Sequence, residues 1–130
     1  MTPAQLLKRK RYWQKVLGLE HWSVCVHAVL DETLDGEGTF GRLVVNGTTL
    51  EADVYVALGG ERTDEQGERT LRHELLHLLL HDLTVEHRQV CECLGTEAQE
   101  LARRRWLAVD ERAVEHLNRM LDVVCPAGGA

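Results

Sequence analysis

The amino-acid sequence predicts an α+β fold in which one helix precedes three strands and further helices follow them. Between residues 22 and 58, apolar side chains alternate with polar ones at the two-residue period of half-buried strands. Before and after that segment, apolar residues recur every three or four positions, as they do on amphipathic helices. A run of strands bounded by helices is typical of the α+β class rather than of alternating α/β folds.

Length, composition and charge limit the classes of protein to consider. A chain of 130 residues is expected to form one domain, residues 1–130, and its 44% hydrophobic residues are typical of a globular protein. The net charge of −6 argues against nucleic acid or anionic lipid as the default partner. No segment approaches the roughly 20 apolar residues of a membrane span or follows the pattern of a secretory signal. We therefore expect a cytoplasmic protein whose four cysteines are free thiols.

Capping residues place the first helix. Thr2 is suited to cap a helix that begins at Pro3, because proline fits the first helical position. Gly18 is suited to end that helix. The alternating pattern from residue 22 to residue 30 then predicts the first strand.

Two further strands follow an acidic loop at residues 31–38. Residues 39–45 and 48–58 have strand-like patterns, and Asn46-Gly47 between them is a strong hairpin signal. We therefore expect a three-stranded, mainly antiparallel sheet.

Helix-capping signals divide the second half of the chain into three helices. Thr63 or Asp64 is suited to cap a helix that runs to about Leu83, and Gln66 is placed for a capping box with Thr63. Thr96 with Gln99 repeats the pattern, and the helix it opens is expected to turn Ala98, Leu101 and Ala102 inward. Asp110 is suited to cap a final helix with apolar residues at helical spacing.

The first of these helices contains the motif His73-Glu74-Leu75-Leu76-His77, which is H-E-x-x-H. Residues four apart on a helix lie on the same face, so both imidazoles can reach one Zn²⁺ ion. Glu74 lies between them and can take a proton from a water molecule that the metal activates. The flanking leucines predict a largely buried helix, in which charged groups are rare unless they are paired or bind a metal.

A catalytic zinc site usually has three protein ligands, so a third must come from elsewhere. His81 is a poor choice, because its Cα lies about 12 Å from that of His73 along a straight helix. Glutamates near two predicted helix starts, Glu97 and Glu111, are better placed, and we favour Glu111 while Asp110 beside it stays open. Glu115, one turn later, could accept a hydrogen bond from a ligand.

These motifs together resemble the minigluzincins and related short HExxH metallopeptidases often encoded by phages. The resemblance spans most of the chain, from LGLEHWSVCV and EADVYVAL to TLRHELLHLLLHDL and DERAVEHLNRML. It implies a small zincin-like domain with an active-site helix and a C-terminal glutamate helix. It also implies that His73, His77 and Glu111 bind zinc and that Glu74 is the general base of peptide hydrolysis. The expected partner is a peptide or protein substrate.

Three questions stay open in the sequence. The residue that stabilises the oxyanion is not assigned, and Tyr55, His87 and His116 are the candidates. The protein could be a non-catalytic, zinc-stabilised module whose basic residues 8–11, beside two aromatic residues, bind nucleic acid or another partner. It could also be a latent enzyme in which the Cys125 thiolate reaches the metal.

Overall fold

The structure is a computed structural model, and it describes residues 1–34 and 38–125. Four helices and three strands in this part of the chain confirm the α+β class. They follow the order α1 (Pro3–Val16), β1 (Ser23–Val29), β2 (Gly41–Asn46), β3 (Glu51–Ala57), α2 (Asp64–Leu79), α3 (His81–Cys91) and α4 (Thr96–Val124). Residues 35–37 of the loop predicted at 31–38 lie outside the described residues.

The sheet is mixed, so the prediction of a mainly antiparallel sheet was wrong. β3 lies in the centre of the order β1-β3-β2, antiparallel to β2 and parallel to β1. A simple meander would have placed β2 in the centre and made every pair antiparallel. Instead, β3 returns from its hairpin with β2 into the position next to β1. Alternation of side chains determines which face of a strand is buried, but it carries no information about strand order.

The predicted alternation does place the core correctly. Val24 on β1 and Ala52, Val54 and Val56 on β3 all face the helices and are buried. They pack with one face of α1 and one face of α2, whose buried core residues are Leu6, Trp13, Leu71, Leu75 and Leu78. The edge strand β2 is only partly buried, and it packs against α2 at the edge of the core.

The termini of α1 form as predicted. Thr2 caps the helix in a capping box with Gln5, and Gly18 adopts φ +68° just after the C-cap residue Leu17. Leu19 donates its N–H to the carbonyl of Gln14, which completes the hydrogen bonds of a Schellman motif.

The β2–β3 hairpin forms, although its turn is longer than the Asn46-Gly47 dipeptide suggests. Residues 47–50 make a four-residue turn, and β3 begins at Glu51 instead of residue 48. The Asn46 side-chain oxygen accepts the N–H groups of Thr48 and Thr49, which stabilises this wider turn.

α2 begins as predicted and ends earlier. Thr63 and Gln66 form the expected capping box, but the helix stops at Leu79 and α3 begins at His81. Leu80 serves both helices as a cap. The change of direction lets α3 pack along α4, with Trp106 donating a hydrogen bond to the Thr84 hydroxyl. Neither glycine nor proline marks this break in the sequence.

The two helices predicted after residue 95 are one helix, α4, so the boundary predicted at Asp110 was wrong. No glycine or proline interrupts residues 96–124, and the Asp110 side chain is turned toward α2 instead of capping a helix. The capping box at Thr96 does not form either. Gly95 is the N-cap residue, and the Gln99 amide donates to the carbonyl of Leu94.

The first half of α4 was also expected to be more buried than it is. Leu101 is exposed, Ala98 is exposed and Ala102 is only partly buried. This part of α4 contacts α3 and lies beyond the sheet, so its apolar residues have less to pack against. Among residues 1–34 and 38–125, no helix combines the length and apolar composition that crossing a membrane requires.

Candidate metal centre

α2 brings the two histidines of the H-E-x-x-H motif together. His73 and His77 are one turn apart on the half-buried face of the helix, and their Nε2 atoms are 3.2 Å apart. The opposite side of the same helix carries Leu71, Leu75 and Leu78 into the core, so the orientation of the histidines is fixed by packing.

α4 supplies the third group. Oε1 of Glu111 lies 2.9 Å from Nε2 of His77, and Oε2 lies 3.6 Å from Nε2 of His73. The donor atoms of these three residues therefore lie within 4.8 Å of one another, as a metal site requires. The sequence predicted Glu111 in the first turn of a separate final helix, whereas it lies in the middle of α4.

Each histidine holds a carboxylate on its other ring nitrogen. Nδ1 of His73 is 2.7 Å from Oε1 of Glu115, and Nδ1 of His77 is 3.0 Å from Oδ2 of Asp110. An N–H at Nδ1 satisfies both carboxylates, and this tautomer leaves each Nε2 with a lone pair. Glu115 has the position expected from the sequence, while Asp110 supports a histidine and does not join the three donor atoms.

The spacing of the three donor atoms fits a tetrahedral ion. Ligands at 2.0–2.1 Å from a tetrahedral Zn²⁺ are separated by about 3.3 Å. The two histidine Nε2 atoms are 3.2 Å apart, and the two oxygens of the Glu111 carboxylate lie 2.9 Å from Nε2 of His77 (Oε1) and 3.6 Å from Nε2 of His73 (Oε2), so these distances lie close to that value. Two imidazole nitrogens and one carboxylate are also a donor set that zinc accepts, with a fourth position left for water or substrate.

A buried arginine fastens α4 to α2 next to this centre. Arg72 is fully buried, and it donates to the side chain and carbonyl of Asn118 and to the Asp122 carboxylate. Its guanidinium also lies 4.9 Å from the Trp13 ring centroid. Because Arg72 adjoins His73 and Asn118 lies one turn from Glu115, this contact sets how α4 presents its acids to α2.

Glu74 occupies the wall of the site opposite α4. Its side chain is buried under β2, where a Cβ atom at Gly41 would lie 2.8 Å from Oε1. Burial raises the pKa of Glu74 to about 7; the electrostatic interaction with His73 opposes this rise, and that with Glu111 adds to it. A carboxyl group with such a pKa can both accept and return a proton near neutral pH.

The donor atoms open into a cleft of about 630 Å³ between α2, α4 and the start of β2. Besides the residues already described, the cleft is lined by Thr39, Phe40, Arg62, Arg69 and Thr70. Neither arginine was predicted from the sequence to belong to the site. Helical spacing could have located Arg69, which lies four residues before His73, but Arg62 precedes the helix and has no such signal.

Several residues considered in the sequence lie elsewhere. Glu97 is separated from Glu111 by about 21 Å along α4, and Cys125 by a similar distance in the other direction. Cys125 packs against the core, so the structure does not support it as a thiolate ligand. His81 lies outside the cleft, with its ring 5.8 Å from that of Trp22.

The three candidates for an oxyanion-stabilising side chain do not line the cleft. Tyr55 stacks on His27 on the sheet face opposite the helices, and His87 stacks on Trp106. His116 is exposed on α4.

The basic run at residues 8–11 does not form a stacking platform with its aromatic neighbours. Trp13 is fully buried and donates its indole N–H to Glu68. Arg9 forms an ion pair with the same carboxylate and lies over the Tyr12 ring. These groups therefore help to hold α1 to α2.

Comparisons with protein families, curated proteins and solved structures found no match to this chain.

Proposed function

We propose that this protein is a zinc-dependent peptidase with a zincin-like arrangement, in which His73, His77 and Glu111 hold the metal and Glu74 is the general base. The observation that carries the proposal is the convergence of two imidazole Nε2 atoms and the Glu111 carboxylate, with one donor atom from each residue within 4.8 Å of the others and a carboxylate bound to Nδ1 of each histidine. The resemblance of the sequence to the minigluzincins points the same way.

The hydrogen bonds at Nδ1 explain why a cation belongs here. With both Nδ1 atoms protonated, the Nε2 lone pairs of His73 and His77 face each other and the Glu111 carboxylate. Lone pairs and a negative charge at these distances repel one another. A divalent cation among them turns this repulsion into coordination, and the carboxylates on Nδ1 strengthen the imidazoles as ligands.

A zinc ion held by these residues would supply Lewis-acid activation of a water molecule and of the scissile carbonyl. Glu74 then accepts a proton from the water as its oxygen attacks the carbonyl carbon. The same carboxyl group returns the proton to the leaving amine when the C–N bond breaks. Its burial beneath Gly41 keeps it fixed beside the position of attack.

The substrate is expected to lie extended along β2. This strand pairs only with β3 among the described residues, so its other edge is available to a peptide backbone. Residues at the start of β2 line the cleft, and strand addition would hold the scissile bond near Glu74.

Digestion of a mixed peptide pool by the zinc-loaded protein, followed by mass spectrometry, tests the proposal. We expect new peptide ends that appear with the parental protein and are reduced at least a hundredfold in Glu74→Gln, because the general base is lost. The matched control is Glu86→Gln, an exposed glutamate on α3 outside the cleft. Cleavage by Glu74→Gln at the parental rate would contradict the mechanism, and a metal-bound protein that cleaves nothing would favour a binding module.

A further inference from the structure

Arg62 places a positive charge in the cleft. It directly precedes the N-cap residue of α2, and its guanidinium carbon lies 4.1 Å from the centroid of the Phe40 ring. Both residues line the same cleft as Glu74 and the three donor residues. Stacking on an aromatic ring restrains the guanidinium, whereas a surface arginine without such a contact moves freely.

The hydrogen bonds that Arg62 makes within the described residues do not neutralise its charge. Nη2 donates to the carbonyl of Gln66 at 2.9 Å and to the Thr70 hydroxyl at 2.5 Å, and both acceptors are neutral. Its Nε atom is buried without a hydrogen-bond partner. In the part of the chain that the structure describes, no carboxylate lies within ion-pair distance of this guanidinium. Burial also lowers the pKa of Arg62, which shows that its charged form is partly deprived of water.

A second guanidinium reinforces the positive character of this end of the cleft. Arg69 lines it as well, and its Nε is 3.2 Å from the Asp122 carboxylate, which Arg72 also contacts. Two arginines therefore share one acid there. The acids bound to the histidines at Nδ1, Glu115 and Asp110, lie by contrast about two to three helical turns before Asp122 on α4.

Thr70 relates the position of Arg62 to that of Glu74, the general base of the proposed function. Thr70 accepts a hydrogen bond from Arg62, and it lies one turn before Glu74, about 6 Å along the helix axis. Two residues of an extended peptide span nearly the same distance, about 7 Å. A group bound by Arg62 would therefore belong to a residue about two positions from the scissile bond.

We infer that Arg62 is a specificity-determining residue that binds a carboxylate of the substrate, about two residues from the bond that is cleaved. The inference rests on the proposed function. An Asp or Glu side chain and the C-terminal carboxylate of a short peptide present the same chemistry to this guanidinium. Its Nη1 group is the donor left for either one, because Nη2 already donates to Gln66 and Thr70.

Paired peptides test this inference and separate the two sources of the carboxylate. In one series, an N-acetylated, C-amidated peptide carries a single Glu that is moved one position at a time, and each member is matched by its Gln analogue. In the other series, the Gln peptides end in a free carboxylate or in an amide. We expect kcat/KM to favour one carboxylate series by about tenfold or more, the effect of a charge-assisted hydrogen bond.

The ratio of acid to amide within each protein variant is the decisive quantity, since the folded fraction of the variant cancels from it. Arg62→Gln should bring the ratio close to one, whereas Arg11→Gln, an exposed arginine on α1 outside the cleft, should leave it unchanged. A ratio near one in the parental protein, or an unchanged ratio in Arg62→Gln, overturns the inference.

Binding to the zinc-loaded Glu74→Gln protein, measured by calorimetry with the same peptide pairs, separates this inference from the proposed function. Tighter binding of the acid than of the amide, lost on adding Arg62→Gln, supports the carboxylate site even if the parental protein cleaves no peptide. Equal binding of both members of every pair, or binding of neither, overturns it.

Discussion

At the scale of single residues, the site depends on the carboxylates that bind the Nδ1 atoms of the two histidines. Asp110 is the one that the sequence placed wrongly, because an acid followed by a helical pattern is also typical of an N-cap. In the structure its carboxylate is nearly buried and holds Nδ1 of His77. Burial of a carboxylate far from any cap indicates that its role is the orientation of the imidazole.

Asp110→Ala should therefore weaken zinc binding by about 10- to 100-fold, because His77 loses the partner that fixes its tautomer and ring orientation. Competition with a chelating dye measures this affinity. Glu97→Ala removes an acid from the same helix at a point far from the site, and it should leave the affinity unchanged. Equal affinities of the two variants would show that Asp110 has no such role.

Glu74 should make the stability of the metal-free protein depend on pH. Its pKa is raised from 4.5 to about 7 in the folded state, mainly by burial, so folding favours the protonated form. The stabilisation is complete below about pH 4.5 and is lost as the pH rises through 7, with an upper limit of about 3 kcal/mol. Urea unfolding of metal-free parental protein and of Glu74→Gln at several pH values measures it. The free energy of unfolding of the parental protein should fall relative to that of Glu74→Gln as the pH rises from 4.5 to about 7. A difference between the two free energies that does not change with pH would contradict the shift.

Gly41 should be required for the position of Glu74. A Cβ atom there would lie 2.7 Å from Cγ2 of Thr70 and 2.8 Å from Oε1 of Glu74, so one of these side chains must move. We expect Gly41→Ala to lower kcat by about a hundredfold, the scale of effect of a misplaced catalytic group, with zinc affinity retained. Gly95→Ala is the control, because a Cβ atom at Gly95 meets nothing within 4 Å. Similar losses in both variants would argue for general destabilisation.

At the scale of elements, α2 and α4 are antiparallel and present matching stripes. Arg69, His73 and His77 recur every four residues on α2, and they meet Asp122, Glu115 and Glu111 in the reverse order on α4. The sequence contains both stripes, and the faces of α1, β1, β3 and α2 follow from periodicity alone. Their pairing could not be predicted, because helix ends at Leu80 and Gly95 determine where α4 returns to α2.

Arg72 should account for much of the attachment between these two helices. It is fully buried, so its replacement leaves the Asn118 side-chain oxygen without its donor and leaves Asp122 with Arg69 alone. We expect Arg72→Met to lower the free energy of unfolding by roughly 3 kcal/mol. Arg69→Met removes a half-exposed arginine from the same Asp122 carboxylate, and it should cost less than about 1 kcal/mol. Denaturant unfolding compares them, and equal losses would refute the distinction between the two arginines.

At the scale of the whole molecule, the fold joins groups that are distant in sequence. α3 and the first half of α4 contain no buried residue, and α4 becomes buried only at Val114 and Asn118. After α2 the chain thus extends away from the hydrophobic core through α3. It returns to the core along the second half of α4, which brings Glu111 to the histidines. Nothing in the local sequence determines how many residues lie between α2 and the point where α4 returns to it. The sequence pattern alone therefore could not decide between Glu97 and Glu111 as the third metal ligand.

The central claim is that His73, His77 and Glu111 form a single metal centre, and matched pairs of variants test it most directly. Zinc content and affinity would be measured by equilibrium dialysis for His77→Ala beside His81→Ala, and for Glu111→Gln beside Glu97→Gln. We expect a single zinc ion per chain in the parental protein, His81→Ala and Glu97→Gln, and strongly weakened binding in His77→Ala and Glu111→Gln. Parental affinity in Glu111→Gln, or loss of zinc in Glu97→Gln, would contradict the account.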